Sequence, residues 1–196
     1  MNFFLNQLRP VEALYDIGGF RGAYAAMAKT KLPANTAVHV FEPMPKNFAA
    51  IERIGKMNGF ENFTPQALAV GDGTVVAGFV NEQDAMLRLG DRQASSAGTT
   101  FAAVSLDDYV ARGNPVPTVV KIDVDGFELR VLRGGSQCLQ RHRPRLWLEM
   151  HPGYLQAQGL SDQDVLAMLR GFGYAVSFFD DHDSPDSRLS YHVWCE

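Results

Sequence analysis

The 196-residue sequence predicts an α/β fold: a doubly wound, mostly parallel sheet closed by a C-terminal antiparallel hairpin. Three observations predict it. Apolar, strand-like runs alternate with helix-like stretches along most of the chain, which is the pattern of a parallel sheet with helices on both faces. The last two strand-like runs are joined by a polar segment with no helix, which favours an antiparallel pair. Composition is that of an ordinary globular protein, 46% hydrophobic and 20% charged. Domains of about 100–200 residues are the norm, so residues 1–196 are read as a single domain.

The elements follow in order. Leu14-Tyr15-Asp16-Ile17 is a short apolar run stopped by glycines, hence a buried strand. Residues 22–30 read as an Ala-rich helix. Ala37 to Phe41 is a second strand, stopped by Glu42-Pro43. A helix over 46–57 spaces Phe48, Ile51 and Ile54 along one apolar stripe. Ala67 to Val70 reads as a third strand, stopped by Gly71-Asp72-Gly73. Val75 to Val80 and Thr100 to Leu106 add short edge strands. Thr118 to Val124 is the strongest strand, followed by a helix over 127–139 carrying Leu129, Val131, Leu132 and Leu139. Arg145 to Met150 is the next strand. Ser161, with Asp164 three positions on, caps a helix that buries Val165, Met168, Leu169 and Phe172. Tyr174 to Phe179 and Tyr191 to Cys195 make the hairpin. Residues 82–99 and 180–188 are polar and aperiodic. The first is the candidate lid over an acceptor, since long loops of this kind are often functional.

Charge narrows the function. With 18 Lys plus Arg against 22 Asp plus Glu, the net charge is −4. A non-specific nucleic-acid binder needs a basic footprint, so none is expected. No apolar stretch approaches about 18 residues, so no membrane span is expected. The opening Met1 to Asn6 is too short and interrupted for a signal peptide. Cys138 and Cys195 make neither a disulfide framework nor a metal knuckle; they read as free thiols in a cytoplasmic protein.

In an open α/β sheet, ligands bind beyond the carboxyl ends of the strands. Nearly every such end here carries an acid: Asp16, Glu42, Asp72, Asp123 with Asp125, and Glu149. Clustered carboxylates repel, so a purely structural sheet has no reason to gather them. After the first strand, Gly18 and Gly19 let the backbone approach a ligand. A dinucleotide fingerprint starting at Gly18 demands glycine at 20 and 23, where the chain has Phe20 and Ala23. The Gly-Lys-Ser/Thr ending of a phosphate loop is also missing. Asp16, just ahead of the glycines, suits a ligand with an ammonium end and no phosphate. Glu42, ending the second strand, can accept from the hydroxyls of a ribose, and NAD sites use the same device.

Alternation puts Lys121, Asp123 and Asp125 on one side of the fourth strand. Three ionisable residues there need pairing or a task. Glu128 lies in the first turn of the next helix, where its charge is favoured. Glu149 and His151 share one face of the fifth strand, and a His among carboxylates is a candidate general base. His39 reads as a core residue, and His142, His182 and His192 as surface residues.

Several of these motifs resemble the FkbM family of S-adenosylmethionine-dependent methyltransferases. They are Asp16-Ile17-Gly18-Gly19, Val40-Phe41-Glu42-Pro43, Val104-Ser105-Leu106-Asp107-Asp108-Tyr109, Val120-Lys121-Ile122-Asp123-Val124-Asp125-Gly126-Phe127-Glu128, Leu132-Arg133-Gly134-Gly135 and Glu149. The similarity runs from about residue 12 to about 152. Asp125 stands where the family usually has Glu, and Gly19-Phe20-Arg21 replaces a more usual Ala-Asn run. The resemblance implies a Rossmann-like class I methyltransferase fold and O-methylation of a hydroxyl on a small molecule, sugar or polyketide-type product.

On this reading S-adenosylmethionine is the cofactor, held by Asp16, Gly18, Gly19, Glu42, Pro43, Ala69 and Asp123. The catalytic candidates are His151, Asp123, Lys121, Glu149 and Glu128. His151 or Asp123 takes the acceptor's proton, and Lys121 tunes its neighbours. Asp123, Glu149 and His151 are also compatible with Mg²⁺ or Mn²⁺, although metal dependence is not the favoured expectation. The other partner is a small-molecule acceptor. Oligomeric state is open, a homodimer included. The competing classes are an NAD-dependent oxidoreductase or epimerase and a non-catalytic cofactor-binding module. A nucleic-acid base methyltransferase is disfavoured, because Asn114-Pro115-Val116-Pro117 precedes the fourth strand and no Asn/Asp-Pro-Pro-Tyr/Phe motif follows it.

Overall fold

The computed structural model describes residues 2–8, 11–73, 75–81, 86–88, 99–179 and 190–196. A short helix, α1 (Asn2–Asn6), leads to β1 (Ala13–Ile17), α2 (Ala23–Lys31), β2 (Ala37–Phe41), α3 (Pro45–Asn58) and β3 (Phe63–Gln66). Then come β4 (Ala69–Val70), β5 (Val75–Asn81), β6 (Met86–Arg88), β7 (Thr99–Val104) and α4 (Leu106–Ala111). The second half holds β8 (Val119–Ile122), α5 (Glu128–Gly134), α6 (Ser136–His142), β9 (Arg145–Met150), α7 (Pro152–Gln156), α8 (Asp162–Gly171), β10 (Val176–Phe179) and β11 (Tyr191–Cys195).

The main sheet has seven strands in the order β10-β11-β9-β8-β1-β2-β3. Its pairs are parallel except those made by β11, which lies antiparallel between β9 and β10. This is the Rossmann-like class I methyltransferase arrangement, with the reversed strand that the helix-free hairpin implies. From β1 the chain first builds outward through β2 and β3, then returns to build β8 and β9 on the other side. The switch point therefore lies between β1 and β8, where a ligand crevice opens in such sheets.

Period-two alternation sorts the core onto two faces. Leu14, Val38, Val40, Val119 and Trp147 pack with Phe4, Ala25, Ala28 and Ile51 from α1, α2 and α3. Tyr15, Ile17, Val120, Ile122 and Leu148 pack with Leu132, Leu139, Val165 and Leu169 from α5, α6 and α8. Each such leucine or isoleucine, fully buried, contributes about 1.5–3 kcal/mol. On α8, Ser161 and Asp164 form the expected capping box, while Val165, Leu166 and Leu169 are buried and Met168 and Phe172 only half-buried. On α3, Ile51 is buried and Phe48 and Ile54 are half-buried.

Four expectations need correction. The strand expected at Ala67 to Val70 is not in the main sheet: Ala69–Val70 pairs with β7 in a second, four-stranded sheet of order β4-β7-β5-β6. The edge of the main sheet is Phe63–Gln66, whose Pro65 is tolerated because an edge strand has one unpaired side. The strand expected to reach Leu106 ends at Val104, because Ser105 caps α4 by accepting from the Asp108 amide. The helix expected over 127–139 is two helices, broken at Gly135. A Cβ on Gly134 would lie 1.9 Å from the Gly71 carbonyl oxygen, so the chains cross there too closely for any side chain. The strand expected to reach Val124 stops at Ile122. Most of 82–99, the expected lid, and all of 180–188 lie outside the described residues; within the former, Met86–Arg88 pairs with β5. Cys138 and Cys195 are free and buried, and no helix among the described residues is long and apolar enough to cross a membrane.

Candidate active site

A cavity of about 330 Å³ opens at the carboxyl ends of β1, β2, β8 and β9, with the β4 segment forming one wall. That size is within the range of small-ligand pockets. Gly18, Glu42, Pro43, Ala69, Asp123, Glu149 and His151 all line it, so seven of the expected site residues converge. Leu68, Val70, Val124 and Phe127 supply an apolar surface, and Asp125 and Asn47 complete the polar lining.

Gly18 sits at φ +79, and a Cβ on it would lie 1.8 Å from the Asp123 carbonyl oxygen. Only glycine lets the β1 and β8 ends meet this closely. The next loop residue, Phe20, donates its amide to Glu42 Oε2 at 2.9 Å, and the Met44 amide donates to Glu42 Oε1 at 2.9 Å. Asn47 adds a side-chain hydrogen bond. A carboxylate offers roughly four lone-pair sites; three are occupied, leaving one for a ligand hydroxyl. Burial, only partly offset by these hydrogen bonds, pushes the Glu42 carboxyl up to about 7.

Asp16 and Lys121 do not reach the cavity. They are 1% and 3% exposed and pair at 3.1 Å on the α2 side of the sheet, with the Lys121 ammonium 4.8 Å from the Tyr24 ring centroid. Lys121 also reaches Asp123 Oδ2 at 3.2 Å. Burial lowers the Lys121 pKa, but Asp123 and Asp16 outweigh that and hold it above the usual lysine range. Gly19 is likewise behind the rim: a Cβ there would meet Val40 at 2.3 Å.

Asp125 does not share the Lys121 face. It lies past the strand, in the left-handed region at φ 47, followed by Gly126 at φ 92. Asp tolerates that region better than most residues. The turn swings Asp125 toward His151, whose Nε2 is 3.4 Å from Asp125 Oδ1, 3.7 Å from Glu149 Oε1 and 3.8 Å from Asp123 Oδ1. Behind the ring, Nδ1 lies 2.8 Å from Glu128 Oε1, which also accepts the Gly126 amide at 3.1 Å. Glu128 is fully buried and outside the cavity; it orients the imidazole and not a ligand. Burial lowers the His151 pKa, but the hydrogen bond to Glu128 and the charges of Glu128, Asp123 and Asp125 raise it to about 9. Burial, with help from neighbouring carboxylates, lifts Asp125 to about 6.

Sequence reasoning missed a second histidine. His192 is not a surface residue: it is buried, stacks on Trp147 with ring centroids 4.9 Å apart, and places Nε2 3.4 Å from Glu149 Oε2. It sits directly opposite Glu149 in the β11–β9 register. Ser190 Oγ donates to Glu149 Oε1 at 2.8 Å. Burial raises the Glu149 pKa, yet His192 and Ser190 hold it well below the usual carboxylate range. His39, as expected, is a core residue; its Nδ1 lies 2.7 Å from the Tyr109 hydroxyl, and burial pushes it down to about 4. His142 is exposed, and His182 lies outside the described residues.

Comparison with known proteins places this geometry. Residues 16–176 match the family described as the methyltransferase FkbM domain. The chain is 31% identical over 142 residues to the hexuronic acid methyltransferase AglP of Haloferax volcanii, covering 71% of this chain and 56% of AglP. It is 25% identical over 201 residues to the 31-O-demethyl-FK506 methyltransferase FkbM of Streptomyces tacrolimicus, covering 87% of this chain and 75% of that protein. The crystal structure of methyltransferase FkbM from Methylobacillus flagellatus superposes with a TM-score of 0.64 at 20% identity, over 97% of this chain and 45% of that one. Aeropyrum pernix fibrillarin, solved with natively bound S-adenosyl-L-methionine, superposes with a TM-score of 0.59 at 11% identity, over 94% of this chain and 66% of that one. The chain thus spans about half the length of AglP and of the Methylobacillus protein.

Proposed function

We propose that this chain, which belongs to the FkbM family of methyltransferases, uses S-adenosylmethionine to methylate an oxygen of a small molecule. The observation that carries this reading is the charge of the cleft. Glu42, Asp123, Asp125 and Glu149 line it, and no Lys or Arg stands among its described lining residues. A pyrophosphate is poorly served there, which counts against NAD. A cationic ligand without phosphate is well served.

The residues present fit such a cofactor. Glu42 lines the cavity with one acceptor position left for a ribose hydroxyl, Leu68, Ala69 and Phe127 offer an apolar wall for a base, and Asp123 supports a positive centre. When bound, the cofactor supplies a methyl group already activated on a sulfonium. The protein's contribution is to hold an acceptor oxygen in line with that methyl group, a positioning effect that reaches roughly 7–11 kcal/mol. The acceptor oxygen lies against Asp123, Asp125, Glu149 and His151. Its proton passes to an Asp123 oxygen or to His151 Nε2, which gives up its own proton more readily once a cationic ligand offsets the carboxylates. Glu128 keeps Nε2 pointed at the cavity.

Oxygen acceptors are supported by the names of the relatives, one acting on a hexuronic acid and the other on 31-O-demethyl-FK506. The test is methyl transfer from labelled S-adenosylmethionine to a panel holding free hexuronic acids, their glycosides and hydroxylated macrolactones. Label on an oxygen of a panel member is expected. Label found on nitrogen or carbon, or no transfer to any hydroxyl or carboxyl acceptor while the cofactor product binds, would overturn the O-methylation reading.

A further inference from the structure

We infer that Asp123, Asp125 and His151 bind one divalent cation of the Mg²⁺ or Mn²⁺ type at the acceptor end of the cleft. One ligand atom each from Asp123, Asp125 and His151 lie within 4.8 Å of one another. The number of acids is not what carries the inference. His151 is. Its side chain is only 9% exposed, and its Nε2 is aimed into the group. The other ring nitrogen is committed to Glu128 at 2.8 Å.

The distances from Nε2 add a second argument. The nearest carboxylate oxygens are 3.4, 3.7 and 3.8 Å away, longer than N–H···O hydrogen bonds of about 2.7–3.2 Å. Those to Asp125 and Asp123, 3.4 and 3.8 Å, match the spacing of atoms that share a cation. With bonds of about 2.1 Å, ligands at right angles lie roughly 3.0 Å apart and opposite ones roughly 4.2 Å apart. The observed separations fall between these. Glu128 completes the pattern, because a metal-binding imidazole characteristically gives its other N–H to a carboxylate. Two carboxylates to one imidazole, with no thiolate, favour a hard cation over copper.

The role of the ion, though not its binding, rests on the methyl-transfer reading. A cation here polarises an acceptor oxygen and lowers its proton affinity; with the His151 Nε2 lone pair given to the ion, the proton passes to a lining carboxylate and not to His151. It also favours acceptors that present two adjacent oxygens, such as a vicinal diol or a hydroxy acid, which can chelate.

Mn²⁺ is the probe, read by the loss of its free six-line electron paramagnetic resonance signal on adding metal-stripped protein. One ion per chain is expected to bind in the absence of any cofactor. Asp125→Asn, which keeps a residue suited to the left-handed turn, and Asp123→Asn are each expected to weaken binding at least tenfold, with circular dichroism unchanged. Glu42→Gln is expected to leave Mn²⁺ binding unaltered. Full retention of the free Mn²⁺ signal by wild type overturns the inference, as does equal binding by both carboxamide variants. S-adenosylhomocysteine is titrated into the same samples after chelation. Its binding without Mn²⁺ binding removes the metal site alone, and the reverse removes the cofactor reading alone.

Discussion

Asp16 and Asp123 flank the same ammonium group, 3.1 and 3.2 Å from Lys121 Nζ, and they belong to different worlds. Asp16 is sealed under α2 at 1% exposure, paired with Lys121 and outside the cavity lining. Asp123 is 29% exposed and opens onto the cavity, where Asp125, Glu149 and the buried Glu128 face a single His151 imidazole. The first pair orders the strand ends. The second group carries surplus negative charge at a cavity, and surplus charge marks a place where something positive binds. Both regions read in the sequence as acids at strand ends; the difference between them is where the compensating cation sits.

Several variants break or sharpen that contrast. The largest effect is expected at His151. His151→Ala lowers methyl-transfer turnover by about 10²–10⁴-fold, the usual contribution of a placed proton-handling group, while calorimetry finds S-adenosylhomocysteine affinity within about threefold of wild type. A near-wild-type rate would remove His151 from the reaction. Next is Lys121→Met, which strands Asp16 in the core. Breaking a buried pair from one side costs about 3–5 kcal/mol, read from urea denaturation. The double variant with Asp16→Asn should recover most of that loss. A loss below about 1 kcal/mol in the single variant would show that the sealed pair is not structural.

At Glu42 the effect is smaller and depends on pH. Losing one charge-assisted hydrogen bond of about 1.5–3 kcal/mol means roughly a tenfold or greater fall in cofactor-product affinity for Glu42→Gln. Its carboxyl titrates at about 7 in the folded protein against an ordinary 4.5, so the native state holds the proton more tightly than the unfolded chain. That contribution to stability is complete below about pH 4.5 and is lost as pH rises through about 7. The urea midpoint of wild type should therefore fall between pH 5 and pH 8 more than that of Glu42→Gln. Equal slopes would contradict the assignment. The smallest effect is expected at His192→Gln, which loosens Glu149 without touching the cavity. Turnover should fall a few-fold, since the lost bond reaches the rate only through Glu149 and Ser190 still holds that carboxylate. An unchanged rate would mean that Glu149 needs no support from β11.

Much of this was legible because hydrophobic runs and their stops report local geometry. The strands ending at Ile17, Phe41 and Met150 were readable, and so were the residues just beyond them, which form most of the cavity lining. The rest depends on longer-range pairing or on single backbone angles. Phe63–Gln66 carries Pro65 and no alternation, and only its edge position makes it a strand. The α5–α6 break depends on Gly134 and Gly135 meeting Gly71 and Leu106. Asp125 leaves the strand face through one left-handed residue. His192 reaches Glu149 only through the register of β11 on β9, which no local pattern encodes. Asp16 and Glu42 looked alike as acids at strand ends; burial under α2 separates them.

The most direct test of the central claim is calorimetric. Wild-type protein is titrated with S-adenosylhomocysteine and, separately, with NAD. One saturable binding event per chain with the first and none with the second is the expected result. Silence with S-adenosylhomocysteine, or comparable binding of NAD, would contradict the account of this acid-lined cleft.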